Sequence, residues 1–357
     1  MLNHLVTDHL NAPFPISLKT PVPAAGDVTV RVTLAILGSS KVRLGPMPEP
    51  SSLAAINAIV VKAIDEERPI PLLMPWGSKK PDNGTVDVAE LGAFKTLSAL
   101  QERVKLHYAP GIELRMRIED LSGDYLFKEE GEAALNGSAL YLREFRKLLF
   151  VLGLPFITPL YETLMMDPHV YNALVDELRP VFMRYIRDIK AFGIVDDPSL
   201  ESYQQLSSLG WKGFIPSEQR NFYTSRYMLA DPSMTDEAAD WKLSGYLASI
   251  LGRIRLHGYG SEDWGKDFIN LSFAPPVPGT PPAFAERRVY YRTLPEQMSR
   301  THIPPWRARG YLRVERDKVL TKIASWHEDL DLQPETVTLS RDFETVTVRA
   351  PQLLVQE

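Results

Sequence analysis

The apolar positions of this chain change period along its length, and the changes mark out a strand–helix–strand unit. Between residues 53 and 67, Leu53, Ile56, Val60 and Ile64 recur at three- or four-residue steps. That is the stripe of an amphipathic helix, which Ser51 or Ser52 can cap and Pro69 ends. Residues 70–74 form a continuous apolar run, short enough for a buried strand, closed by the turn Pro75-Trp76-Gly77. Asp87 opens a second helix to about Tyr108, with Val88, Leu91, Leu97, Leu100 and Val104 as its stripe and Pro110-Gly111 as its stop. Between Ile112 and Ile118 the period falls to two, because Ile112, Leu114, Met116 and Ile118 alternate with Glu113, Arg115 and Arg117. This order predicts a right-handed parallel βαβ unit. Ligands of such sheets sit outside the carboxyl ends of the strands. The loops at 75–83 and 119–124 fall there.

The same reading predicts helices over 138–152, 170–190 and 236–250 and strands at 155–160, 253–257, 267–273 and 287–293. Val28, Val30, Val32 and Leu34 alternate within 27–36, which predicts a strand there, and β-type runs recur at 311–314, 336–339 and 345–348. The expected fold class is α/β: a Rossmann-like, mainly parallel sheet flanked by helices, with additional β-rich segments at both ends. The expected division is a peripheral N-terminal extension over 1–50, a catalytic domain over 51–310 and a C-terminal extension over 311–357. No internal repeat interrupts it.

Composition narrows the function classes. The chain has 357 residues, 44% hydrophobic and 24% charged, enough for one large core or two modest ones. A net charge of −5 gives no global basic footprint for nucleic acid and leaves only local basic clusters as anion sites. The absence of cysteine excludes disulfides, thiolate metal sites and cysteine nucleophiles, and fits a cytoplasmic enzyme. The opening residues lack the basic start and apolar run of a signal peptide, and no run approaches the ~18 apolar residues of a membrane span. The 29 prolines cluster at 12–24, 46–50 and 274–284, which read as loops or extended arms.

Motifs exclude further classes. Neither GxGxxG nor GxxxxGK[ST] occurs, so no nucleotide cofactor is expected; HExxH and GxSxG are also missing. His327-Glu328-Asp329 contains HxD, but no histidine follows it, and it reads as a charged turn rather than an iron site. No metal is expected.

Four constellations carry candidate chemistry. Lys79 and Lys80 follow a strand and a glycine, where they suit an anion clamp or an amine that acts on a carbonyl. Glu119 and Asp120 end the second strand, as a general acid/base pair or a holder for a substrate amine. Arg255, His257 and Lys266 lie within a dozen residues; on a strand, Arg255 and His257 share a face and suit a phosphorylated substrate. Pro305-Trp306-Arg307-Ala308-Arg309 sets an aromatic plate beside two guanidiniums, and Trp211, Lys212, Phe214 and Arg220 form a sparser set. At each position the alternative is a solvated loop, a turn or a structural aromatic.

Taken in order, these segments resemble the isonitrile (isocyanide) synthase family of the pyoverdine, paerucumarin and dityrosine pathways. PWGSKKPDN resembles the family's proline-aromatic segment, with Lys79 at its lysine. VDVAELGAF, with Asp87 and Glu90, is similar to the next block, and YAPGIELRMRIEDLSGD to the turn, strand and aspartate after it, with Asp120 at the aspartate. RIRLHGYG, Lys266 with DFINLSF, and IPPWRARG are similar to the late blocks. The likeness spans about residues 70–310. Glu119 stands where the family has Ser, Leu121 where it has Gly, Arg307 where it has His, and RLHG is shorter than its counterpart.

The resemblance implies a biosynthetic enzyme without nucleotide cofactor, in which the amine of an L-amino acid, typically tyrosine or tryptophan, condenses with the ketone of ribulose 5-phosphate. One sugar carbon is kept as the isonitrile carbon. Such chemistry needs proton donors and acceptors, for which Lys79, Glu119, Asp120 and His257 are the catalytic candidates. Lys80, Arg255, Lys266, Arg307 and Arg309 are candidates for the sugar phosphate or the substrate's polar groups. Trp76, Tyr125 or Trp306 would cover an aromatic side chain. Two alternatives stay open: a nucleotide- or S-adenosylmethionine-dependent transferase on the same kind of sheet, and a non-catalytic small-molecule-binding relative.

Overall fold

The computed structural model describes residues 27–40, 42–80, 86–128, 131–193, 197–211, 215, 217–257, 265–274, 287–292, 304–315, 318–325, 336–339 and 346–349. The proline-rich run at 12–24, most of that at 274–284, Lys212, Phe214 and His327-Glu328-Asp329 lie outside them. In chain order the elements are α1 (Val28–Leu37), α2 (Pro50–Asp65), β1 (Ile70–Trp76), α3 (Val88–Lys105), β2 (Ile112–Ile118), α4 (Asp120–Lys128), α5 (Glu132–Leu152) and β3 (Ile157–Tyr161). Then come α6 (Glu162–Met165), α7 (Pro168–Phe192), α8 (Glu201–Ser208), α9 (Ser217–Ala230), α10 (Asp236–His257), β4 (Ile269–Ser272) and β5 (Arg288–Tyr290). A 3-10 turn over Pro305–Arg307 leads into β6 (Ala308–Glu315), β7 (Lys318–Ser325), β8 (Thr336–Leu339) and β9 (Val346–Arg349).

The sheet has five strands in the order β3-β2-β1-β4-β5, and every pair in it is parallel. The fold is therefore α/β, with the βαβ unit at its centre. β1 and β2 run in step from Ile70 opposite Ile112 to Trp76 opposite Ile118. α3 begins where its sequence dictates. Asp87 caps it, accepting from Ala89 N at 2.7 Å, and Glu90 reaches back to Asp87 N at 2.8 Å, a capping box. Strand order reverses direction between β1 and β4, the switch point at which open α/β sheets bind ligands. β6 with β7, and β8 with β9, form separate antiparallel pairs, of which β7 was not anticipated.

Two apolar cores divide the described residues. One lies on the sheet, where Leu72, Met74, Leu114, Met116, Ile269 and Leu271 meet apolar residues of α1, α2, α3 and α5. The other lies among helices, where Tyr171, Val175 and Phe182 of α7 pack with Leu243, Leu247 and Leu251 of α10.

Two sequence expectations are corrected. Residues 27–36 form helix α1, not a strand, with Asp27 as N-cap accepting from Thr29 N at 3.1 Å. The sheet core takes Val32, Ala35, Ile36 and Leu37, a helical set, so this segment is integral rather than peripheral. Residues 253–257 are likewise not a strand but the end of the 22-residue helix α10.

Candidate functional site

Parallel strands release their loops at one edge, and here that edge gathers charge. Glu119 N donates to the carbonyl of Trp76 at 2.9 Å, so the chain leaves β1 and β2 side by side. Tyr161 at the end of β3 stands opposite Ile118. The segment 77–80, then Glu119 and Asp120, then Glu162 are thus the first residues beyond three neighbouring strands.

Glu119 and Glu162 share two arginines. Glu119 Oε1 accepts from Arg117 Nη2 at 2.8 Å and from Arg253 Nη1 at 3.0 Å. Glu162 Oε1 accepts from Arg253 Nη1 at 3.1 Å, and its Oε2 takes Ser122 N at 3.2 Å and Ser122 Oγ at 3.0 Å. Arg117, Arg253 and Glu162 are buried, whereas the Glu119 side chain keeps 31% exposure. Burial alone would raise the Glu119 carboxyl, but the guanidiniums of Arg253 and Arg117, with Arg307 farther out, hold it below the usual carboxylate range.

A second cluster closes the start of α3. Lys80, only 1% exposed, meets Asp87 Oδ1 at 2.8 Å and Glu90 Oε2 at 2.5 Å. Tyr141 OH donates to Glu90 Oε1 at 3.1 Å and accepts from Trp76 Nε1 at 3.0 Å. Burial pushes the Glu90 carboxyl up to about 8 against the pull of Lys80, and raises the Tyr141 hydroxyl well above its usual value. In dinucleotide-binding folds the first helix after the first strand receives the pyrophosphate at its N-terminus. Here Asp87, Glu90 and Lys80 already fill that position. The residues present do not fit a dinucleotide phosphate.

Trp306 roofs the segment between these clusters. Its ring centroid lies 5.0 Å from that of Trp76, and a Cβ placed on Gly77 would stand 2.2 Å from Trp306 Cδ1. Gly77 is required by this close approach. Trp76 itself is fully buried, stacked on Phe94 at 5.4 Å and tilted against Phe145 at 5.0 Å.

The residues singled out from sequence fall into three groups. Lys79, Glu119 and Arg307 are partly exposed and belong to this edge; the loop and turn that carry them meet through Gly77 and Trp306. Lys80, Asp120, Trp76, Trp306 and Tyr125 are buried in contacts within the protein. Asp120 accepts from Thr163 N at 3.2 Å and Thr163 Oγ1 at 2.5 Å, tying α4 to α6, and Tyr125 OH donates to Asp176 at 2.6 Å in the helical core. Arg255 and His257 do not share a face, because the helical period separates i and i+2 by about 200°. Arg255 is exposed, and His257 follows Arg253 by one turn. Lys266 precedes β4 and therefore lies at the opposite, amino edge, beside Asp267, whose carboxylate meets Lys62 of α2 at 3.1 Å. Arg309 lies on β6, its side chain outside the described residues, while Trp211 packs in the helical core against Phe182 and Arg220 reaches Asp240 at 3.7 Å.

Sequence reasoning missed Arg117, Arg253, Glu162, Glu90 and Tyr141 as site groups. Glu162 was findable by the rule that singled out Glu119, since it directly follows a strand. Arg253 was hidden by the strand reading of its segment. The helical layer also bears a groove of about 610 Å³ lined by Pro180, Met183 and Trp241; no residue of the charged clusters lines it. Among the described residues no cluster of histidine and carboxylate side chains could hold a metal ion, and no helix is long and apolar enough to cross a membrane.

Comparison with known proteins places the fold. No protein-family model matches the chain, and no curated protein does. Among solved structures it is similar to PvcA from Pseudomonas aeruginosa, with a TM-score of 0.53 and 18% identity over 86% of this chain and 95% of that one. At that identity the likeness is one of fold.

Proposed function

We propose that this protein is a biosynthetic enzyme of the isonitrile-synthase type, condensing the amine of an amino acid with a phosphorylated ketosugar such as ribulose 5-phosphate. The observation that carries this reading is the edge of the parallel sheet, where the buried Arg117 and Arg253 hold Glu119 and where the chain that bears Lys79 leaves β1 beside β2. Lys79, Glu119 and Arg307 are also positions at which the chain, block by block, resembles the family or departs from it. The fold match to PvcA fits an isonitrile-synthase-like role. The filled N-terminus of α3 favours this reading over a nucleotide-dependent transferase.

The chemistry asks for few groups. The amine nitrogen bonds to the ketone carbon, the carbonyl oxygen takes up protons, and water leaves to give the imine. Lys79 is assigned the proton transfer in these steps, because it is partly exposed at this edge whereas Lys80 is buried. A guanidinium at this edge suits the sugar's phosphate or the amino acid's carboxylate.

Incubation of the purified protein with ribulose 5-phosphate and pooled L-amino acids, followed by mass spectrometry for isonitriles, tests the reading. The expected product requires both substrates and is lost in Lys79→Met. No turnover with any amino acid, together with no binding of the sugar phosphate, refutes it.

A further inference from the structure

Glu119 differs from the other carboxylates of this edge in having one oxygen engaged and one open. Oε1 takes both guanidinium bonds, whereas Oε2 accepts no hydrogen bond among the described residues. Asp120 has both oxygens occupied by Thr163, and Glu162 has both occupied by Arg253 and Ser122. Two arginines therefore fix the orientation of an acceptor on a side chain that is only partly buried.

Arg307 complements it. The backbone N–H of Arg307 closes the 3-10 turn on Pro304 O at 2.9 Å, but its half-buried guanidinium donates no hydrogen bond among the described residues. Trp306 lies over Gly77, the residue after Trp76, whose carbonyl binds Glu119 N, so the turn carries Arg307 to the level of Glu119. The guanidinium is near enough to favour the charged form of Glu119. Arg117 and Arg253 are already engaged by Glu119 and Glu162, so Arg307 is the guanidinium of this group that suits an added anionic group. Glu119 and Arg307 are also two of the positions where the sequence departs from the blocks it resembles.

We propose that Glu119 Oε2 and the Arg307 guanidinium form a two-point receptor for a ligand that presents an ammonium donor and an anionic group together. The pair sets specificity for ligand charge. The proposal rests on the reading of this edge as the amine-binding site. Glu119 acts in it as an acceptor that positions the ammonium, since a carboxylate bound by two guanidiniums is a weak base. The anion on Arg307 is the carboxylate of the same ligand, and a phosphate there instead is an outcome of the test that overturns the pair.

Calorimetric titration with L-amino acids identifies the tightest binder, which is then compared with its own decarboxylated amine and its own deaminated acid. Loss of either group is expected to weaken binding about tenfold or more. Glu119→Gln keeps an oxygen for Arg117 and Arg253 but turns the open acceptor into a donor. This variant should bind the amino acid and its deaminated acid equally. Arg307→Gln should erase the preference over the decarboxylated amine. If that variant keeps the preference and loses ribulose 5-phosphate and inorganic phosphate instead, the two-point receptor is overturned and Arg307 belongs to the sugar phosphate. Thermal melts of both variants verify folding, and Arg307→Lys should restore part of the lost binding. A wild type that binds no amino acid, or a folded Glu119→Gln that still discriminates against the deaminated acid, overturns the receptor. A wild type that binds as expected but forms no isonitrile leaves the receptor standing and removes the proposed reaction.

Discussion

Lys80→Met should destabilise the protein far more than Lys79→Met, although the two lysines are adjacent. Lys80 is 1% exposed and balances Asp87 and the fully buried Glu90, so its loss leaves two carboxylates facing each other at the start of α3. Breaking a buried pair from one side costs about 3–5 kcal/mol. Glu90 limits that cost by taking up a proton. Its folded-state pKa of about 8 lies above the unfolded value, so the folded form binds the proton more tightly. Stability from this group is therefore greatest at low pH and falls as pH rises from about 4.5 through about 8. Without Lys80 the folded pKa rises further, and the deficit of Lys80→Met should widen between about pH 6 and about pH 9. Urea unfolding followed by tryptophan fluorescence at both pH values measures it. Lys79, partly exposed on the same loop, should lose about 1 kcal/mol or less when changed to Met, the usual worth of a partly exposed lysine's contacts. Adding Glu90→Gln to Lys80→Met should recover part of the loss and flatten its pH dependence. Equal midpoints for Lys80→Met and wild type at both pH values would refute the assignment of Lys80 as the anchor.

Three further outcomes follow from the same edge. Gly77→Ala drives a methyl into Trp306 and should cost about 1–3 kcal/mol, with partial recovery in the Gly77→Ala/Trp306→Ala double variant, read from thermal melts. Glu119 titrates below its unfolded value, so its contribution is present above about pH 4.5 and is lost as pH falls through the lowered pKa; Glu119→Gln should flatten the acid limb of the urea midpoint against pH. Arg253→Met leaves Glu162 buried beside Glu119 and should cost about 3 kcal/mol or more, whereas the exposed Arg255→Met should fall within about 0.5 kcal/mol by urea unfolding.

The central βαβ unit was legible because independent local signals agree over 70–118: an apolar run, a capping box, a helical stripe, a Pro-Gly stop and a clean alternation. The 27–36 segment misled because Val28, Val30, Val32 and Leu34 alternate while Val32, Ala35 and Ile36 also fit a helix. β-branched content favours strand locally, and the sheet core decided for helix. Five residues at 253–257 were too few to separate period two from the end of a long helix. Within the site, spacing placed Lys79, Lys80, Glu119 and Asp120 beyond the correct strand ends. It could not say which lysine turns inward, because the partners Asp87, Glu90 and Tyr141 come from α3 and α5.

The contact of Trp306 with Gly77 also bears on the order in which the molecule completes itself. Trp306 reaches back across a long stretch of chain to cover a turn made well before it in translation. β1, β2 and β3 can pair before that happens, but Trp76 lacks its roof until the chain has passed the 3-10 turn. Contacts of such long sequence separation form late and slowly. A nascent chain ending before Pro304 would therefore hold an aromatic surface uncovered beside its charged edge, and would be a target for chaperones until the turn that carries Trp306 docks.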